Sequence, residues 1–422
     1  MRAHRCYREA MEYLSRLIDV ELARLRAVFP CVSVVGPRAA GKTTSAARSV
    51  ASITRLDQPA VAGVFLADPD AALMSRPEPA LLDEWQEVPG VLGAIKRAVD
   101  VDPRPNRFVL TGSVSAELDV VSWPGTGRVI RIPMRGLTLC EQRGTVDIRP
   151  TVRNLLAGNL RLPSTTPTLV DYVDMALVGG FPEAVALSDV RDRRVWYESY
   201  IEQLVTRDSA RAGVGRDTVR LRRYLQALAL NSAGVINDVT LYQTAGIDRR
   251  THLAYEGLLR NIFVVDQVQA WTSNRMKRLA QAPKRFVEDV GLMAAAARVG
   301  RDDILKDIHL LGRVIETFVR SELVAHLSVN HVPTFVSHVR TAGGREEVDL
   351  VVEFDGGATV GIEVKATATP KSSDARHLFW MREALGASFA GGVVFHTGPE
   401  IIRFDDTIAA IPISAFWGSA AV

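Results

Sequence analysis

Residues 36 to 43 read Gly36-Pro37-Arg38-Ala39-Ala40-Gly41-Lys42-Thr43, set between an apolar run, Cys31 to Val35, and a small-residue helical stretch, Thr44 to Ala51. A strand, a glycine-rich turn and a helix N-terminus in that order form an anion cradle. Backbone N–H groups and the helix dipole favour phosphate, a lysine supplies a point charge, and the hydroxyl after it can ligate Mg²⁺. Gly36, Gly41, Lys42, Thr43 and Thr44 are therefore the expected nucleotide-binding residues, with ATP and Mg²⁺ as cofactors. The alternative, a glycine turn that matches by chance, does not explain the apolar strand before it and the helix after it.

The surrounding segments read as an α/β nucleotide-binding domain. A helix over Tyr7 to Val28 carries Leu14, Leu17, Ile18, Leu22 and Leu25 at helical spacing and stops before Pro30. Strands are expected at Ile53 to Leu56, Ala80 to Leu82, Arg107 to Thr111 and Val129 to Ile132. Ala80 to Leu82, the third strand of the domain when Cys31 to Val35 is counted as the first, runs straight into Asp83-Glu84, which is the Walker B pattern: Asp83 would serve the Mg²⁺ water shell at a strand's carboxyl end, and Glu84 would polarise the attacking water. The bland reading of the same pair is an acidic turn. Thr111-Gly112-Ser113 closes the fourth strand, and Ser113, with Thr111 as the second choice, would sense the γ-phosphate; a polar strand cap is the alternative. Gly125-Thr126-Gly127-Arg128 precedes the fifth strand. Arg128 is either an arginine finger reaching a neighbouring subunit's nucleotide or one half of a local salt bridge.

With these motifs in view, the chain resembles the AAA+ ATP-binding proteins whose ATPase is followed by a conserved domain of unknown function. The resemblance runs through Leu82-Asp83-Glu84-Trp85-Gln86, Phe108 to Ser113, Gly127-Arg128, Gly179-Gly180-Phe181-Pro182-Glu183, Arg207-Asp208, Glu316, Glu347-Val348-Asp349 and Gly361 to Lys365, nearly the whole chain. Trp85 and Thr126 depart from the usual small or aliphatic residues without removing a catalytic group. The resemblance implies an AAA+ type ATPase, residues 1–150, and homo-oligomer formation.

Behind a proline-marked linker at 145 to 168, with Pro150, Pro163 and Pro167, residues 165–275 read as a helical module resembling a winged helix-turn-helix. Ala245-Gly246-Ile247-Asp248 supplies a turn and N-cap, Arg249, Arg250, Thr251 and His252 open the next helix, and an apolar strand is expected at Ile262 to Val265. DNA is the candidate partner, with protein contact as the alternative. Arg211, Arg216, Arg220, Arg222 and Arg223 would contact phosphate or form a solvated helix face. Gly179 to Glu183 carries no evident chemistry and reads as structural, with Pro182 and Glu183 suited to a helix's first turn.

Residues 276–422 hold a second constellation. Glu316 lies on a helix, Glu347-Val348-Asp349 on one strand, and Glu363 and Lys365 share a face of another because side chains alternate. Asp349, Glu363 and Lys365 match the PD-(D/E)XK nuclease core, two acids for Mg²⁺ and a lysine to activate water. A nuclease-like fold that only binds is the competing reading. His309, His326, His331, His338, His377 and His396 show no ligand spacing, so core or surface roles are their default.

Composition excludes several classes. The chain has 422 residues, 47% of them apolar, and a net charge of +3, enough for several cores and too balanced to indicate nucleic acid by itself. No apolar run approaches the ~18 residues of a membrane span, and the start Met1-Arg-Ala-His-Arg5 lacks the apolar core of a signal peptide. Three scattered cysteines, Cys6, Cys31 and Cys140, form neither a disulfide framework nor a metal cluster and fit a reducing cytoplasm.

Overall fold

Five short strands pair in parallel in the order β2-β3-β4-β1-β5: β1 (Cys31–Val35), β2 (Ser52–Arg55), β3 (Ala80–Asp83), β4 (Phe108–Gly112) and β5 (Val129–Pro133). The computed structural model describes residues 13–113, 127–146, 162–163, 165–208, 217–272, 281–329 and 333–417. Cys6, Gly125, Thr126, Pro150, Arg211, Arg216 and His331 lie outside them. A parallel sheet buries both faces, and period-two alternation divides its side chains between them. Val32, Val34 and Leu81 enter one apolar cluster, while Cys31, Ala80 and Leu82 enter another.

The helix expected over Tyr7 to Val28 is shorter: α1 is Ile18–Val28. The Asp19 carboxylate accepts the Arg16 N–H and the Tyr13 hydroxyl, both at 2.8 Å, and so ties the preceding residues into a turn. Helix α2 (Lys42–Ala47) follows the glycine-rich loop, α3 (Val91–Val101) precedes β4, and α4 (Leu139–Gln142) follows β5. Helix α4 begins with a capping box, Thr138 with Glu141.

After the short helix α5 (Pro182–Val185), the middle of the chain contains α6 (Thr218–Leu230), α7 (Asp238–Ala245) and α8 (Arg249–Asn261). The turn between α7 and α8 forms as the sequence indicates, with Gly246 at φ 69 and Asp248 capping α8 through Thr251 N. The strand expected at Ile262 to Val265 does not form there. Ile262 still belongs to the end of α8, and Phe263 takes φ 59 while Val264 N returns to Leu259 O, a helix stop that delays the strand. Strand β6 is Val265–Ala270, paired antiparallel with β7 (Lys284–Val287).

Strand β6 also pairs in parallel with β8 (Thr334–Arg340), so one sheet runs across residue 275. Its order is β12-β13-β11-β10-β9-β8-β6-β7, with β9 (Glu347–Phe354), β10 (Thr359–Lys365), β11 (Phe389–His396), β12 (Ile402–Arg403) and β13 (Ile408–Pro412). Helix α9 (Ile308–Ser328) covers it, burying Val314, Ile315, Val319 and Leu323. No helix among the described residues is long and apolar enough to cross a membrane.

Candidate functional site

Parallel pairing aligns the carboxyl ends of β1, β3 and β4, with Asp83 beside Thr111 and Val35 beside Gly112. Ligands of open α/β sheets gather at such ends. Gly36 is required by close approach, since a Cβ there would lie 2.0 Å from the Met134 carbonyl oxygen, and Gly41 turns the chain at φ +91. Lys42 Nζ donates to Gly36 O at 3.0 Å, Pro37 O at 2.7 Å and Ser113 Oγ at 3.3 Å. Burial pulls its pKa down to about 8 against the charges of Glu84 and Asp83.

Beside Lys42, the Thr43 hydroxyl donates to Asp83 Oδ1 at 2.7 Å, and the Thr111 hydroxyl reaches the same oxygen at 2.5 Å. A hydroxyl and a carboxylate brought together in this way are the donor set that Mg²⁺ takes when it arrives with phosphate. Ser113 Oγ lies 3.2 Å from Glu84 Oε1 and thus between the acid and the lysine. Glu84 itself has φ 55, an uncommon backbone state for a glutamate that is typical of functional positions; Gln86 Nε2 holds its other oxygen. Thr44 is exposed on the first turn of α2. Arg128 is not beside these groups: its Nε pairs with Asp100 Oδ1 at 2.9 Å on the surface.

Arg16 escaped the sequence reading. Its guanidinium is buried, donating to Ala40 O inside the loop at 2.8 Å, to Arg135 O at 2.7 Å and to Glu141 at 3.1 Å. It therefore fixes the phosphate loop against the exit of β5. The one sequence signal was the Thr138-x-x-Glu141 capping box. The Gly179-Gly180 pair is structural, as expected. Gly180 N donates to Asp289 Oδ2 at 2.6 Å, Leu137 N donates to Gly180 O at 2.6 Å, and Cβ atoms at either glycine would clash.

Between the parallel sheet and the helical module lies a cleft of ≈ 420 Å³, bordered by Gly36, Pro37 and Arg135 on one side and Arg260, Asn261 and Asp266 on the other. Arg135 and Arg320 share Glu288 and Asp266 across this junction. On the helical module Arg223, Arg249 and Arg250 are exposed, Arg220 pairs with Asp217, and Arg222 pairs with Glu198 and Glu202. His252 is not available to a groove. It is fully buried, its Nδ1 2.8 Å from the Tyr224 hydroxyl, because it lies on the core face with Tyr255, Glu256 and Leu259. His326, His338 and His396 are also buried, and burial brings each pKa down to about 4.

The second constellation converges. Asp349 Oδ2 accepts Val364 N at 2.9 Å, and Lys365 Nζ donates to Glu363 Oε2 at 2.6 Å. Glu316 faces them from α9, but through an unforeseen residue: Lys284 of β7 donates to Glu316 Oε1 at 2.6 Å and to Asp349 Oδ1 at 3.3 Å. Burial works against the Lys284 charge, but Glu316 and Asp349 outweigh it and hold its pKa above the ordinary lysine value. Burial and the Asp349 charge push Glu363 up to about 8. The expected Mg²⁺ pair, Asp349 and Glu363, does not fit a divalent cation here. Each acid already carries an ammonium, and among the described residues no group of three or more acids, histidines or cysteines is placed to hold a metal ion.

Three family models cover most of the chain: an AAA domain at residues 28–142, a domain of unknown function (DUF8612) at 169–303 and another (DUF4143) at 311–416. Uncharacterized proteins of Mycobacterium tuberculosis and Mycobacterium bovis are each 28% identical over 398 residues, 92% of this chain and 82% of theirs. Among solved structures, a Walker-type ATPase of Pyrococcus abyssi aligns over 67% of this chain and 96% of its own at 14% identity and a TM-score of 0.43. The Bacillus subtilis DNA clamp loader delta protein aligns over 70% and 99% at 13% identity and a TM-score of 0.26.

Proposed function

We propose that this chain, built on an AAA-type ATPase domain, binds and hydrolyses ATP at the phosphate loop and couples turnover to nucleic-acid binding by its middle module. The observation that carries the reading is the pair of hydrogen-bonded chains at one sheet edge, Lys42 to Ser113 to Glu84 and Thr43 to Asp83 to Thr111. Loop N–H groups and Lys42 bind the phosphates. Thr43 and Asp83 hold Mg²⁺, whose charge neutralises the phosphate oxygens when bound. Glu84 orients the attacking water, and Ser113, between lysine and glutamate, sets their spacing and senses the γ-phosphate. Arg128, paired to Asp100 within one chain, exchanges that partner for a neighbouring subunit's nucleotide in a homo-oligomer.

On this reading residues 1–150 are the ATPase, 165–275 a winged-helix-like module and 276–422 a nuclease-like domain. Three helices followed by strand β6 support the second assignment, although the partner of β6, β7, lies beyond residue 275, and the β8–β9–β10 meander with β11 parallel to β10 supports the third. A cytoplasmic setting accords with the buried free thiols of Cys31 and Cys140. A second reading, a nucleotide-switched regulator or scaffold, is favoured by the Lys284 ammonium among the C-terminal acids. It differs in retaining nucleotide tightly with negligible turnover.

The partner is tested by titrating labelled duplex DNA at several salt concentrations. Each phosphate contact contributes roughly 0.9 to the slope of log affinity against log salt, so changing Arg249 and Arg250 together to alanine is expected to weaken binding and reduce the slope by about 2. ATP turnover should rise with DNA. Binding that is absent or indifferent to salt would turn the module into a protein-contact domain.

A further inference from the structure

The Lys284 side chain is 2% exposed and lies within 4.0 Å of three acids on two elements: Glu316 of α9 at 2.6 Å, and Asp349 and Glu347 of β9 at 3.3 Å and 4.0 Å. It also donates to the Asp349 carbonyl at 3.5 Å. An ammonium has three donors and no acceptor, and a buried one persists only where acids surround it. We propose that Lys284 is the resident cation of the C-terminal acid cluster, filling the place a divalent metal would take, and that the cluster binds Mg²⁺ or Mn²⁺ only when this charge is removed.

Charge and architecture both support it. Glu316, Asp349 and Glu363 face two ammonium groups, Lys284 and Lys365. The Lys284 ammonium sits where Glu316 and Asp349 converge, so a divalent ion at that point would have to displace a fixed positive charge. Without Lys284 the same two acids lose the cation they share, and one divalent ion can take its place between them. Strand β7 also keeps the lysine in place. Alternation sends the next residue, Arg285, to the opposite face, where it pairs with Glu256 and Asp238 of the helical module, both at 2.5 Å. Withdrawal of Lys284 would break these pairs as well as the β6–β7 ladder. The inference takes the kind of ion from the nuclease-like reading of this sheet and is independent of ATP hydrolysis.

The test is Mn²⁺ binding to the full chain without nucleotide, followed by loss of the free-ion paramagnetic signal. Any Mn²⁺ held by Thr43 and Asp83 is common to all variants. Wild type and Asp349→Asn are expected to bind equally, whereas Lys284→Met should gain one site, at least about 100-fold tighter than wild type, that Lys284→Met with Asp349→Asn lacks. Mn²⁺ should also raise the melting temperature of Lys284→Met and leave that of wild type unmoved. If Lys284→Met does not fold, the wild-type comparison decides, with Glu363→Gln as the alternative to Asp349→Asn. A wild-type site that either acid variant abolishes would overturn the proposal, as would a folded Lys284→Met that gains none. Neither result alters whether the phosphate loop hydrolyses ATP.

Discussion

Replacing Lys42 with alanine is expected to weaken ATP binding by roughly 100-fold or more. A hydrogen bond to a charged group contributes about 1.5–3 kcal/mol, and each 1.4 kcal/mol is tenfold in affinity; Lys42 makes several such contacts from a desolvated position. Its ammonium rests on the loop's own carbonyls and Ser113, a charge already in place for a phosphate. Its pKa of about 8 gives a pH dependence with a definite sign. Phosphate favours the charged lysine, so the bound pKa lies above the free one. Affinity is therefore full below pH 8 and falls about tenfold per unit as pH rises above it. Equilibrium binding of a fluorescent ATP from pH 7 to 9.5 measures both effects, and equal affinity in wild type and Lys42→Ala would remove the lysine from the site.

Arg320→Ala is expected to lower stability by roughly 3 kcal/mol, the lower end of the cost of breaking a buried ion pair, because Glu288 is buried but Asp266 is partly exposed and both acids keep Arg135. The Arg320 side chain is 1% exposed, bonded to Glu288 at 2.7 Å and to Asp266, with its guanidinium over the Phe286 ring. Burial raises the Asp266 pKa, yet the charges of Arg320 and Arg135 outweigh it and keep the acid below the usual range. Because Arg135 follows β5 and Arg320 lies on α9, the loss should loosen the junction between the parallel sheet and the eight-stranded one. Urea unfolding followed by helix signal reads the effect; a change under about 1 kcal/mol would mean that these charges remain hydrated.

The elements legible in the sequence were those whose signal is local. An apolar run ending in a glycine loop, or in Asp83-Glu84, identifies a strand and its functional end together, and alternation correctly put Glu363 and Lys365 on one face. His252 was legible but misread, since its spacing with Tyr255, Glu256 and Leu259 is the core stripe of α8. Arg16 and Lys284 were not legible. Arg16 meets Glu141, 125 residues away, and Lys284 meets Glu316 and Asp349 across 32 and 65 residues. No period within a helix or strand records such distant partners. The start of α1 likewise depends on one carboxylate, Asp19, turning the chain back on itself.

Phosphate release from ATP by the purified full chain, with Mg²⁺ and with chelator, tests the central claim most directly when wild type, Glu84→Gln and Arg128→Ala are compared. Wild type should turn over only with Mg²⁺. Glu84→Gln should bind ATP normally and hydrolyse it about 10²–10⁴ times more slowly, the usual contribution of a general base, and mixing the two variants should restore part of the rate. Failure of the mixture alone would return Arg128 to its salt bridge with Asp100. Turnover unchanged in Glu84→Gln, or absent from wild type at any Mg²⁺ and DNA concentration, would contradict the account.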